Sequence, residues 1–144
     1  MGKATAHHPY RKTQILTANP GELMLLLYNA AICFCEQAKG KIAEKRYGES
    51  HELLVKVENI VMELSAGLRR DVYPDLVDNL SRLYEFVFYR LFEANVSHST
   101  RCIDEAMNVL AILRDGWVQA IEKANKGEAA RDVSGNTGRV ELSA

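Results

Sequence analysis

The sequence predicts an all-α fold: an antiparallel up-down-up-down four-helix bundle with an N-terminal arm and a flexible C-terminal tail. Apolar residues recur at three- and four-residue steps through four stretches of roughly 20 to 25 residues, the period of amphipathic helices. Only 3 Pro and 9 Gly occur in 144 residues, which leaves long segments uninterrupted. The connections between the stretches are short, and short connections make neighbouring helices antiparallel. The length suits one domain, and a hydrophobic content of 47% is enough to fill its core. The expected organisation is an arm over 1–18, a bundle over 19–125 and a disordered tail over 126–144.

The arm is polar to mixed, with Tyr10, Ile15 and Leu16 as its sizeable apolar groups. These gain nothing in water, so packing on the bundle surface is expected, weakly enough for a competitor to displace them. Asn19-Pro20-Gly21-Glu22 then reads as a helix start, with Asn19 as cap, Pro20 where no amide donor is needed, and Glu22 three residues past the cap. The first helix is expected from about Pro20 to Glu44, its face built from Leu23, Leu27, Ala30, Ala31, Phe34, Ala38 and Ile42. Met24, Leu25, Leu26, Tyr28 and Ile32 widen that face almost around the helix, more than an ordinary surface helix needs.

The second helix is expected from about Gly48 to Arg69, with Leu53, Leu54, Val57, Ile60, Val61, Leu64 and Leu68 on one side. Pro74 opens the third, expected to about Ala94, where Leu76, Val77, Leu80, Leu83, Tyr84, Val87, Phe88 and Leu91 face inward. Asn95 to Ser99 reads as a capped break. The fourth helix, from about Thr100 to Ala124, carries Ile103, Ala106, Met107, Leu110, Leu113, Trp117 and Ile121. Beyond Lys126 the periodicity fades and Gly127, Gly135 and Gly138 appear, which predicts the tail.

Lys and Arg number 18 against 19 Asp and Glu, so bulk charge attracts neither nucleic acid nor an anionic membrane. The most apolar run, Leu23 to Cys35, contains Asn29 and falls short of the roughly 20 residues a membrane span needs. No signal peptide is evident, and Cys33, Cys35 and Cys102 fit free thiols in a reducing cytoplasm. His7, His8, His51 and His98 lack the carboxylate spacing of a metal bundle, and no glycine-rich phosphate loop occurs. Neither a metal, a cofactor nor catalytic residues are expected.

What remains is an aromatic surplus. Tyr84, Phe88 and Phe92 follow one another at steps of four, whereas Phe86 and Tyr89 lie on other faces, so one core stripe cannot hold all five. One reading takes some of them simply as covers for helix ends or for the arm. The functional reading is a groove for an apolar helical or extended segment, with Trp117 as a core residue or as the groove's floor.

Tyr10-Arg-Lys-Thr-Gln-Ile-Leu-Thr-Ala-Asn-Pro-Gly-Glu-Leu23, followed by Leu27-Tyr-Asn-Ala-Ala-Ile32, resembles the opening of the flagellin-specific chaperones of the bacterial flagellar type III export system. The likeness continues through Ile60-Val-Met-Glu-Leu64, Leu80-Ser-Arg-Leu-Tyr-Glu-Phe-Val87, Arg90-Leu-Phe-Glu-Ala-Asn95 and Leu110-Ala-Ile-Leu-Arg-Asp-Gly-Trp117. Asn29 stands where that family more often has Asp. The resemblance implies a cytoplasmic bundle, not an enzyme, that binds the disordered C-terminal segment of flagellin, prevents premature polymerisation and presents the subunit to an export-gate component. It matches Tyr10 to the arm, Leu27, Tyr28 and Ile32 to the first-helix signature, Tyr84 and Asn95 to the third, and Trp117 to the late tryptophan. With Ile15, Leu16 and Phe88, these form the expected client-binding or arm-packing set, and Tyr28→Ala or Tyr84→Ala weakens client binding if either residue is a hot spot. The alternative is a structural bundle whose spare apolar surface is used for self-association, as in a homodimer, with no flagellin client.

Overall fold

The computed structural model describes residues 19–69, 71 and 73–143, with side chains described to Gly127. The expected arm, with Tyr10, Ile15 and Leu16, lies outside these residues. Four helices follow in order: α1 (Pro20–Ala43), α2 (Tyr47–Ala66), α3 (Pro74–Ser97) and α4 (Thr100–Ser143). The chain divides into two compact units, one ending at Arg114 and one beginning at Asp115.

The start of α1 follows from its cap. Asn19 Oδ1 accepts from the Glu22 amide at 2.8 Å, and the Glu22 carboxylate accepts from the Asn19 amide, so two amides without helical partners are satisfied reciprocally. At the other end the chain turns through Lys45, at φ 60°. The Arg46 amide then reaches back to the Lys41 carbonyl at 2.8 Å and the Lys45 amide to that of Ile42 at 2.9 Å. This is the paired closure usually built on glycine, here adopted by lysine.

Three boundaries differ from expectation. Helix α2 stops at Ala66 rather than Arg69, because Gly67 takes the cap position and its amide bonds the Glu63 carbonyl. Helix α3 continues past Ala94 to Ser97, since the Asn95 side chain is drawn to Glu58 of α2 instead of capping the chain. His98, at φ 55°, makes the break, and Ser99 Oγ accepts from the Cys102 amide to open α4. Helical backbone in α4 runs to Ser143, beyond the expected end at Ala124 and through the expected tail. Apolar periodicity reports a buried face, and a helix can outlast that face where glycines alternate with good helix formers such as Glu128, Ala129 and Ala130.

The first unit holds the core, and each helix supplies one stripe. Tyr28, Ala31, Cys35 and Ala38 come from α1, and Leu54, Val57, Val61 and Leu64 from α2. Tyr84, Val87, Leu91 and Ala94 come from α3, and Cys102, Ile103, Ala106 and Leu110 from α4. Steps of three and four place each set on a single face, and a fully buried Leu or Val contributes about 1.5–3 kcal/mol. Polar pairs at the seams set the order of helices. Lys39 meets Asp104 at 2.6 Å and Asn29 meets Arg114 at 3.4 Å, so α1 and α4 run antiparallel side by side. Arg90 meets Glu105 across the α3/α4 seam, and Asn95 meets Glu58 across α2/α3. With α2 also packed on α1, the four form a ring in which α1 and α3 face each other across the core.

Candidate functional site

On α3 the core stripe needs one side of the helix, yet large apolar side chains occupy the opposite side too. Leu83, Phe86, Tyr89 and Phe92 follow at steps of three, each about 60° behind the last around the helix axis. They therefore form a diagonal row across the outer face. Phe86 is 42% exposed, Tyr89 and Phe92 are 57% exposed, and Val96 reaches 68%. The row starts on the α4 side, where Arg90 is paired with Glu105. Seven residues earlier on α3 and seven later on α4, the same antiparallel register brings exposed Ile112 level with Leu83. Phe92 ends the row on the α2 side.

Between α2 and α3 lies a cleft of about 290 Å³ lined by Val61, Met62, Ser65, Ser81, Tyr84, Glu85 and Phe88. Its lining is mixed, with apolar Val61, Met62 and Phe88 beside the hydroxyls of Ser65 and Ser81 and the Glu85 carboxylate. This volume lies at the bottom of the range for small-molecule sites and suits individual side chains of a bound segment. Met62, 58% exposed, extends the apolar surface onto α2. A face about one helix wide, aromatic along its length and flanked by this cleft, matches what recognition of an amphipathic segment requires.

The expected site residues divide sharply. Tyr28 and Tyr84 are each only 3% exposed, and their hydroxyls share a hydrogen bond of 2.6 Å across the core. Burial holds both phenols above the usual tyrosine range, so both stay protonated. In this structure their bulk fills the interior and their polar ends satisfy one another. Leu27 and Ile32 are half-buried against the same core, and Phe88 is half-buried at the cleft. Asn95 ties α3 to Glu58 of α2 at 3.4 Å, and burial raises the Glu58 carboxyl above its usual range. Trp117 belongs to the second unit, where it is 36% exposed.

Tyr84, Phe88 and Phe92 were expected on one face, and the structure resolves why they part. A four-residue step advances about 40° around a helix, so the row walks outward. Tyr84 is buried, Phe88 half-buried and Phe92 exposed. Leu76 and Leu83, expected to face inward, are instead 54% and 39% exposed, and the exposed apolar residues outside the expected set include Phe86, Tyr89, Phe92, Val96 and Met62. The sequence signal that locates most of them is the three-residue spacing on the side of α3 opposite Val87 and Leu91.

Electrostatics add order to this face. The Arg90 guanidinium lies over the rings of Phe86 and Tyr89 while pairing with Glu93 at 3.0 Å. At the nearby end of the bundle, the rings of Tyr47 and His98 stack with centroids 3.8 Å apart, linking the start of α2 to the end of α3. Among the described residues, no group of three or more His, Cys, Asp or Glu could hold a metal ion. No helix among them is long and apolar enough to cross a membrane.

Residues 2–124 match the family model described as flagellar protein FliS. The chain belongs to the FliS family. It is similar to the flagellar secretion chaperone FliS of Bacillus subtilis, with 32% identity over 81% of this chain and 86% of the relative. The FliSB chaperone of Pseudomonas aeruginosa is 33% identical over 74% of this chain and 84% of its own. The fold also matches a bacterial flagellar chaperone crystal structure, with a TM-score of 0.68 and 28% identity over 84% of this chain and 98% of the other. FliS proteins are chaperones of flagellar export and not enzymes, which agrees with a site made of aromatic surface and grooves.

Proposed function

We propose that this FliS protein binds the disordered C-terminal segment of flagellin along the outer face of α3 and its flanking grooves. One observation carries the reading: Phe86, Tyr89, Phe92 and Val96 stand 42% to 68% exposed on a helix whose inner face already completes the core. Such a patch is costly in water and is typical of a surface that meets a partner. The client's apolar side, which otherwise packs with other subunits, is covered here, and filament nucleation is thereby suppressed. The work is binding work in the cytoplasm, and the loaded chaperone hands the subunit to a component of the export gate. The arm, through Tyr10, Ile15 and Leu16, competes for part of the same surface and tunes release.

Calorimetric titration with the C-terminal peptide of flagellin from the same bacterium tests this. Saturable binding with Kd at or below about 1 μM and a negative heat-capacity change is expected. No heat with a soluble, intact peptide, together with a dimer in sedimentation, would instead assign the face to self-association.

A further inference from the structure

Arg90 is engaged on two sides at once. Its guanidinium carbon lies 5.7 Å from the Phe86 ring centre and 5.2 Å from that of Tyr89, within the reach of cation–π attraction. Its two terminal nitrogens pair with Glu93 at 3.0 Å and with Glu105 of α4 at 3.2 Å. Glu105 is itself steadied by Arg101 at 3.4 Å. The Arg90 side chain is 22% exposed, far less than the rings it covers. A planar fork gripped at both ends cannot swing freely, and it limits the rotation of the rings beneath it. Surface aromatics without such a restraint sample several rotamers, and ordering them on association costs affinity.

We propose that Arg90 is a positioning residue: anchored by Glu93 and Glu105, it fixes the orientation of Phe86 and Tyr89 before the client arrives. The inference rests on the assignment of the client to the outer face of α3. Arg90 acts through the two rings and not by its own contact with the client. Lysine cannot replace it, because a point charge on a flexible stem supplies neither the fork nor the stack.

The test is a double-mutant cycle on the full chain, with the C-terminal flagellin peptide as probe. Arg90→Lys and Arg90→Gln are each placed in the natural background and in one carrying Phe86→Leu and Tyr89→Leu. Kd, heat-capacity change and melting midpoint are read for all. With the rings present, both Arg90 variants are expected to lose affinity about three- to tenfold with the heat-capacity change unaltered. Without the rings the loss should shrink to about twofold or less. An equal loss in both backgrounds overturns the proposal, since Arg90 then acts independently of the rings. Natural affinity in the Arg90 variants, alongside a weakened ring variant, also overturns it while leaving the binding face intact. If the ring variant binds as the natural protein does, the binding face itself is wrong and the inference falls with it. Glu105→Gln, which keeps the Arg90 charge but frees one end of the fork, should weaken binding in the same direction and serves if Arg90→Gln does not fold.

Discussion

Helices α1 and α3 face each other across the core, and their inner sides are nearly interchangeable. One buries positions 28, 31, 35 and 38, the other 84, 87, 91 and 94, with the same spacing of three, four and three. Their outer sides differ in the size and number of exposed apolar groups. Helix α1 presents Asn29, Cys33, Glu36, Gln37 and Gly40 to solvent, while α3 presents Phe86, Tyr89, Phe92 and Val96. The inner face of α3 completes its share of the core, and its aromatic outer side lies outside the buried cluster. The difference separates the proposed client surface from the buried structural faces within a single pair of helices.

Substitutions that strike the two outer sides should separate them. Tyr89→Ala and Phe92→Ala are each expected to weaken client binding by about 1–3 kcal/mol while changing stability by about 0.5 kcal/mol or less. Gln37→Ala on α1 should alter neither quantity. Calorimetry and urea denaturation check both, and a loss of client affinity from Gln37→Ala would erase the contrast.

The inner sides can be probed through the tyrosine pair that joins them. Tyr28→Phe leaves the Tyr84 hydroxyl buried without a partner, and Tyr84→Phe does the converse, so each should cost about 1–3 kcal/mol. The double variant removes both polar ends at once and should recover most of that loss. Additive losses in urea unfolding would show that the two hydroxyls do not depend on each other.

A third distinction is chemical. Burial, with a smaller contribution from Glu36, pushes the Cys35 thiol on the inner side of α1 up to about 12, from 9.0 in an exposed thiol. The native state then holds its proton where the unfolded chain has lost it. The contribution to stability is complete below about pH 9 and disappears as the pH rises towards 12. Urea midpoints measured from pH 8 to 10.5 should fall, and Cys35→Ala should flatten part of that slope.

The smallest effect is expected at the end of α1. Lys45 holds a left-handed conformation at φ 60°, and Lys45→Gly should stabilise the bundle by about 0.5–1 kcal/mol. A lower thermal midpoint in that variant would mean that the lysine side chain contributes more than its backbone costs.

The helices themselves were legible because burial imposes a period, and the cap at Asn19 because its chemistry is local. The site was legible only in part. The resemblance assigns Tyr28 and Tyr84 to the client-binding or arm-packing set, whereas the helical period by itself already turns Tyr84 inward. Their mutual hydrogen bond joins positions 56 apart, and no local pattern reports such a partner. Phe92 was grouped with Tyr84 because steps of four stay close to one face over a single turn, yet drift out of the core over two. The row of Phe86, Tyr89 and Phe92 emerges only when the direction of the core is known for every turn of α3. The Glu58–Asn95 contact that carries α3 past its expected end is likewise long-range, and so invisible to capping rules.

The central claim is that the client lies on the outer side of α3. Side-chain NMR shifts of the chaperone, recorded with and without the C-terminal flagellin peptide, test it most directly. Large changes are expected at Phe86, Tyr89, Phe92 and Met62, and little change at Asn29 and Gln37. Changes centred on the outer side of α1, with the α3 aromatics unmoved, would contradict it.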